Sequence, residues 1–236
     1  MSDLAPLVAT RLELQRVATH VLARRRHHVT GRFGLRATPG GIGTPAFGPP
    51  DELEVVRIDG TDLVHEHGGS LRVQAVDGAS LAELAEAVDV DLAAPFDVGS
   101  DTSPVGDSAG ALRLDAAAAG RLFDWYDLGW RALDAVARSA REPAPTQLWP
   151  EHFDASCVVS IGPGPDDRCD VGVSPGDRFS DEPYLYLGPW TKDRPGDAAY
   201  WNVDFGAQRL GSDVGSVADA VAFFEQGLSL LTEGPR

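Results

Sequence analysis

Residues 153–161 carry the most constraining pattern in this 236-residue chain, because an apolar side chain occupies every second position. These positions hold Phe, Ala, Cys, Val and Ile, and the positions between them hold Asp, Ser, Val and Ser. Side chains alternate between the two faces of a strand, so the pattern predicts a strand with one buried and one wetter face. A Gly-Pro-Gly-Pro turn at 162–165 leads back through residues 170–173, which predicts an antiparallel hairpin.

Short strands also recur in the first half of the chain. A strand over 32–38 precedes a Gly-rich turn, and strands over 53–58, 63–67 and 71–76 follow. The Asp59-Gly60 pair between two of them is a strong hairpin signal. This half therefore predicts a meander of short antiparallel strands, and residues 199–203 predict one more strand in the second half.

Helical spacing of apolar residues predicts at least four helices. They cover residues 5–27, a short segment opened by a capping box at Ser80, residues 115–140, and a segment that begins near Ser216. The first ends in a basic run at 24–28, which complements the dipole at a helix C-terminus. An anion site at this run is the alternative interpretation.

Runs of strands bounded by helices indicate an α+β fold with antiparallel meanders packed against long helices. Both halves of the chain have the order helix, short strands, capped helix. We therefore expect an N-terminal half over residues 1–110 and a C-terminal half over 111–236, within one compact unit. Residue identity between the halves is low, so whether they arose by duplication stays open.

The charge pattern excludes several classes of partner. A net charge of −16 argues against binding to nucleic acid or to an anionic membrane. No apolar run reaches the length of a membrane span, and the N-terminal residues do not have the order of a signal peptide. We expect a cytoplasmic protein, and Cys157 and Cys169 are therefore predicted to be free thiols.

The candidate site lies at the start of the alternating run. The alternation runs back to His152, so His152, Asp154 and Ser156 are predicted to share the wetter face of the strand. A carboxylate beside a histidine can hold one tautomer and raise its basicity. The alternative is that both residues lie on a solvated strand end without a functional role.

Aromatic residues are concentrated around this segment. The predicted ligand-binding residues are the aromatic and polar side chains of this region: Trp149, His152, Asp154, Tyr184, Tyr186 and Trp190. Aromatic walls with a few polar groups are typical of small-molecule pockets, so binding of a small molecule near His152 is the favoured function. A structural or dimerising interaction protein is the second, because interfaces are also rich in Tyr and Trp. No catalytic residue is assigned.

A metal-dependent hydrolase or oxygenase is the least favoured function. It would use His152, Asp154, Glu151 and one of His65 or His67. The last two share a strand face, but a His-x-His pair without a third ligand is a weak metal signal. No metal and no other cofactor is therefore predicted, and whether His65 and His67 bind a metal stays open.

Two motifs resemble those of uncharacterised bacterial proteins classed as domains of unknown function. The first is Trp-Pro-Glu-His-Phe-Asp at 149–154, and the second combines Ser-Pro-Gly-Asp at 174–177 with Glu-Pro-Tyr-Leu-Tyr at 182–186. The resemblance covers little more than this stretch and implies no activity. It indicates only that these residues matter beyond packing.

Overall fold

The computed structural model describes residues 4–99, 102–140 and 142–233. The chain divides into two compact units. The first contains the described residues up to Asp124 together with Leu148–Phe153. The second contains Trp125–Gln147 and the described residues from Asp154 onward.

One long helical segment opens the first unit. It consists of α1 (Ala5–Val17), a π-helical segment (Ala18–Ala23) and α2 (Arg24–Thr30). All six residues of the π-helical segment are buried. Gly31 ends the segment in the left-handed conformation, which glycine adopts without steric cost. The predicted helix over 5–27 is thus confirmed and extends three residues further.

The basic run of this helix does not gather into one site. Arg24 donates to two carbonyl oxygens of residues 92–94, and Arg25 donates to the carboxylate of Glu54. Arg26 donates to a backbone carbonyl just before the first strand. The three guanidinium groups therefore bind separate protein acceptors, which favours a structural role over a common anion site.

The five strands of the first unit follow one another in a sequential antiparallel sheet. Their bounds are β1 (Arg36–Thr38), β2 (Gly41–Gly43), β3 (Glu54–Asp59), β4 (Asp62–His67) and β5 (Ser70–Ala75). On the buried face of the sheet, Ile58 lies opposite Leu63 and Val56 opposite His65. Helix α3 (Leu81–Ala87) follows, and Ser80 and Glu83 form the predicted capping box at its start.

The second unit repeats this order of elements. Helix α4 (Ala116–Ser139), which enters this unit at Trp125, precedes a second five-stranded antiparallel sheet, and α5 (Val217–Glu233) follows it. The strands are β7 (Asp154–Ser160), β8 (Arg168–Ser174), β9 (Tyr184–Pro189) and β10 (Ala207–Leu210), together with β6 (Gln147–Trp149), whose last two residues are assigned to the first unit. The predicted α+β fold, with two similar helix–strands–helix halves, is confirmed.

Helices cover the apolar face of the second sheet. Val173 and Leu187 lie on this face, next to Gly129 of α4 and Gly227 of α5 respectively. A methyl group added at Gly129 would lie 2.5 Å from Val173, and one at Gly227 would lie 2.8 Å from Leu187. Both glycines therefore allow the helices to approach the sheet closely. Among the described residues, none of the helices is both long and apolar enough to cross a lipid bilayer.

The predicted strand over 199–203 is wrong, because these residues form turns and a single bridge. The Tyr200 ring stacks on Phe223 of α5 at 5.4 Å, and its hydroxyl donates to the Phe223 carbonyl at 2.6 Å. Tyr200 is buried although it lies in a turn, and the sequence alone does not distinguish such a buried aromatic residue from one on a strand. The fifth strand of this sheet is instead β10, four residues further on.

Cys157 and Cys169 are free thiols on the apolar face of β7 and β8, as predicted. Burial raises the pKa of Cys157 to about 11, and the carboxylates of Asp134 and Asp170 act in the same direction. Burial likewise raises the pKa of Cys169. The thiolate is the reactive form, so both residues should be chemically inert in the folded protein.

We therefore expect that a disulfide reagent at pH 8 modifies neither thiol of the native protein within minutes. A thiol with a pKa of about 11 is only about 0.1% ionised at that pH. After unfolding in guanidinium without reductant, two thiols per chain should react at once. Fast reaction in the native state would contradict the burial, and no reaction after unfolding would reveal a disulfide.

Candidate functional site

His152 is not on the strand that carries Asp154 and Ser156, contrary to the sequence prediction. Strand β7 begins at Asp154, and His152 lies in the preceding turn with an exposed side chain. Phe153 between them has a φ of 56°, in the left-handed region that non-glycine residues seldom adopt. Its buried ring holds this conformation, so the alternation of side chains does not continue back to His152.

The turn over residues 149–153 is anchored on the first helical segment. Gln15 donates to the carbonyl oxygen of Glu151 at 2.8 Å, and Thr19 donates to that of Pro150 at 2.9 Å. The half-buried Trp149 ring lies 6.1 Å from a neighbouring phenylalanine ring in the same unit. Trp149 and His152 therefore belong to the first unit, in a segment whose backbone is tied to α1 and the π-helical segment.

Three of the other four predicted residues lie on one face of the second sheet, and the fourth, Trp190, directly follows the end of β9. Ser156 of β7, Gly172 of β8 and Tyr186 of β9 are paired across three neighbouring strands, which places them on the same face. Asp154 and Tyr184 share that face because each lies two residues from one of these positions. We call it the tyrosine face: the β7–β9 face that carries Asp154, Tyr184 and Tyr186.

A hydrogen bond between Tyr186 and Asp154 spans three strands. The Tyr186 hydroxyl donates to Oδ2 of Asp154, although β8 lies between their strands. The ring can cross because Gly172 lies beneath it, and a methyl group there would lie 2.1 Å from the ring. Absence of a side chain at Gly172 is thus what allows the phenol and the carboxylate to meet.

Tyr184 forms a second phenol–carboxylate pair beside the first. Its hydroxyl donates to Oδ2 of Asp177 at 2.7 Å, and its ring centroid lies 6.2 Å from that of Tyr186. Ser174, opposite Tyr184 on β8, accepts from the indole of Trp125 at 2.8 Å through its carbonyl oxygen. Each tyrosine ring is therefore oriented by the hydrogen bond from its own hydroxyl to a carboxylate.

Burial keeps both phenols neutral. It raises the pKa of Tyr186 well above its usual value, and the charge of Asp154 and the hydrogen bond to it add to this effect. Burial also raises the pKa of Tyr184, again assisted by its carboxylate partner Asp177. Both residues therefore act as hydrogen-bond donors at any physiological pH, rather than as bases.

Aromatic side chains border the tyrosine face. The Phe205 ring meets Tyr186 edge-on at 6.4 Å, and Phe179 lies 5.6 Å from Phe205. At the other end, the indole of Trp190 donates to Asp170 at 2.9 Å. Burial raises the pKa of Asp170, and the hydrogen bond from Trp190 opposes that rise.

A further polar cluster lies on the buried side of the first sheet, and sequence reasoning missed its central residue. Glu54 of β3 lies directly opposite His67 of β4, with His65 two residues along the same face. The nitrogen Nε2 of His65 lies 2.9 Å from Oε1 of Glu54. Arg25 of α2 contacts both carboxylate oxygens, at 2.7 and 3.0 Å. The two-residue loop after Asp59 fixes the pairing of β3 with β4. The turn signal at Asp59-Gly60 therefore contained the information that places Glu54 opposite His67.

These contacts keep Glu54 ionised although it is buried. Burial raises its pKa, but hydrogen bonds from His65 and Arg25 outweigh that effect and lower the pKa to about 2. Glu54 therefore ties α2, β3 and β4 together as a buried anion.

We expect that Gly172→Ala removes about 3 kcal/mol from the free energy of unfolding. The added methyl group would displace the Tyr186 ring and break its hydrogen bond to Asp154, which combines overpacking with a lost buried contact. Gly188→Ala on the next strand is the matched control, because its methyl group would meet Asp170 at 3.8 Å, an ordinary contact. Equal urea midpoints for the two variants would contradict this role of Gly172.

We also expect that Glu54→Gln lowers the free energy of unfolding by about 3 kcal/mol, because it leaves Arg25 half-paired in a buried site. The control is Glu66→Gln on the same hairpin. Glu66 is half exposed and forms a 3.4 Å ion pair with Arg57, so its loss should cost less than about 1 kcal/mol. Urea unfolding of both variants tests the difference, and similar losses would rule out a special role for Glu54.

Comparison with known proteins returns no match: no family model matches the sequence, and no curated protein and no solved structure is significantly similar to the chain. The resemblance of the two motifs to uncharacterised bacterial proteins therefore stays a prediction.

Proposed function

We propose that the protein binds a small molecule on the tyrosine face of the second unit. The observation that carries this proposal is the Tyr186–Asp154 pair, a neutral phenol and a carboxylate joined across three strands. The opposite face of the same sheet already packs against α4 and α5. The hydroxyl and carboxylate groups on the tyrosine face thus take no part in the apolar packing between the sheet and these helices, which supports a role in recognition.

The border of the face indicates the class of ligand. Phe179 and Trp190 are 61% and 54% exposed, so part of each ring is open to solvent and can contact a planar group, although the Arg178 guanidinium already lies 5.0 Å from the Phe179 ring centroid. The carboxylates of Asp154, Asp170 and Asp177 on or beside this face accept hydrogen bonds and attract positive charge. These features together favour a planar or ring-containing molecule with a cationic or hydrogen-bond-donating nitrogen.

The chemistry of the face supports binding rather than turnover. Its tyrosines are neutral donors with fixed partners, and its carboxylates are already hydrogen bonded. A hydrolase or oxygenase centred on His152 and Asp154 has less support, because β7 begins after His152 and the two residues do not share its face.

A second candidate function is self-association through the same face. It is favoured by the exposure of Phe179 and Trp190, because large exposed aromatic side chains are enriched at protein interfaces. If so, Trp190→Asp should convert a dimer to a monomer.

The test compares Tyr186→Phe with Tyr200→Phe in native mass spectrometry of the purified protein. Both changes delete one phenolic hydroxyl in the second unit, but Tyr200 donates to the Phe223 carbonyl and has no part in the tyrosine face. We expect the wild type and Tyr200→Phe to retain a co-purified small molecule. Tyr186→Phe should weaken its binding by about tenfold to a hundredfold, since Asp154 loses its donor.

The same spectra report the number of subunits. Equal ligand retention by both variants would refute binding at the tyrosine face. A ligand-free dimer that Trp190→Asp dissociates would support the interaction function instead.

A further inference from the structure

We propose that Glu54, His65 and His67 in the first unit form a binding site for a divalent transition-metal ion of the zinc class. One ligand atom from each residue can be chosen so that all three lie within 4.8 Å of one another. Two imidazole nitrogens and one carboxylate oxygen are a ligand set that zinc and related ions use, with further positions left for water or substrate.

The backbone of one hairpin positions all three ligands. Glu54 and His67 are directly opposite each other on β3 and β4, and His65 lies on the same face two residues away. Residues at such positions have side chains close enough to share one ion. Tetrahedral zinc with bonds near 2.0–2.1 Å separates its ligands by about 3.3 Å, so the set closes with side-chain movements of about 1 Å.

Arg25 is compatible with this role and supports it. Each carboxylate oxygen has two acceptor sites, so the guanidinium can hold Glu54 while one oxygen binds the ion. Ligating carboxylates are commonly oriented in this way by a hydrogen-bonding partner. Arg25 is then a positioning residue that fixes the direction of the Glu54 side chain.

Two features distinguish the cluster from an ion pair that serves stability alone. His67 is partly exposed and lies just before the exposed Gly68-Gly69 turn, so the cluster reaches solvent on this side. His65 is 4% exposed, and its Nδ1 atom has no hydrogen-bond partner within the part of the chain that the structure describes. Buried polar atoms are usually satisfied, so this imidazole is not fully accounted for by protein contacts.

The test uses Co²⁺ as a spectroscopic substitute for Zn²⁺, on tag-free protein first dialysed against a chelator. We expect the wild type to bind one Co²⁺ per chain with visible d–d bands of low coordination symmetry, which Zn²⁺ removes. Zn²⁺ should also raise the thermal midpoint, because an ion that binds only the folded state stabilises it.

His67→Ala is the decisive variant. His67 forms none of the hydrogen bonds among Arg25, Glu54 and His65, and its partly exposed ring stacks on His65 at a centroid distance of 5.9 Å, so this change should lower the metal-free thermal midpoint only slightly. It should nevertheless weaken Co²⁺ binding by about 100-fold or more. Mutation of a residue that only hydrogen bonds to a metal ligand commonly lowers metal affinity by about 10–100-fold, and His67 is proposed to be a ligand itself. His28→Ala is the matched control, because His28 is exposed on α2 and lies outside the cluster.

Two results would overturn the proposal. One is a wild type that binds no stoichiometric Co²⁺ and whose thermal midpoint does not respond to Zn²⁺. The other is equal Co²⁺ affinity in His67→Ala and His28→Ala, which would place any binding elsewhere on the chain.

Discussion

The buried charge of Glu54 is the interaction on which the first unit depends most. A carboxylate removed from water is tolerated only if it is paired and hydrogen bonded, and Glu54 meets both conditions through Arg25 and His65. These partners come from α2 and β4, so helix, β3 and β4 must keep their relative positions for the charge to be satisfied. The apolar contacts of the surrounding core are less directional. The ion network therefore constrains the relative positions of α2, β3 and β4.

The second unit meets a related requirement with different chemistry. Its sheet has one apolar face against two helices, and the other face carries phenols and carboxylates that pair with each other. A tyrosine can serve both environments because its ring is apolar and its tip is a donor. Tyr186 does so by lying over Gly172, where the missing side chain makes room for the ring. In the second unit, packing of the Tyr186 ring on Gly172 thus has the organising role that charge pairing has in the first unit.

Sequence patterns predicted the parts of this structure that depend on local periodicity. The alternation after Phe153 corresponds to β7, and the apolar stripe over 115–140 corresponds to α4, because both are set by which residues face a core. His152 could not be placed in this way. Its displacement results from the left-handed backbone of Phe153, which has no pattern of its own and is held by burial of the ring. Tertiary packing decided that position.

The two candidate sites differ in how far the sequence determines them. The Glu54, His65 and His67 set belongs to one hairpin with a two-residue loop, so its register follows from local turn geometry. The Asp154–Tyr186 pair needs three strands, a nine-residue connection over 175–183 and a glycine between the partners. No local signal sets the register across such a connection, because it is determined when the strands pack together. The hairpin set should therefore persist through sequence changes elsewhere in the unit, whereas the tyrosine face depends on the whole sheet.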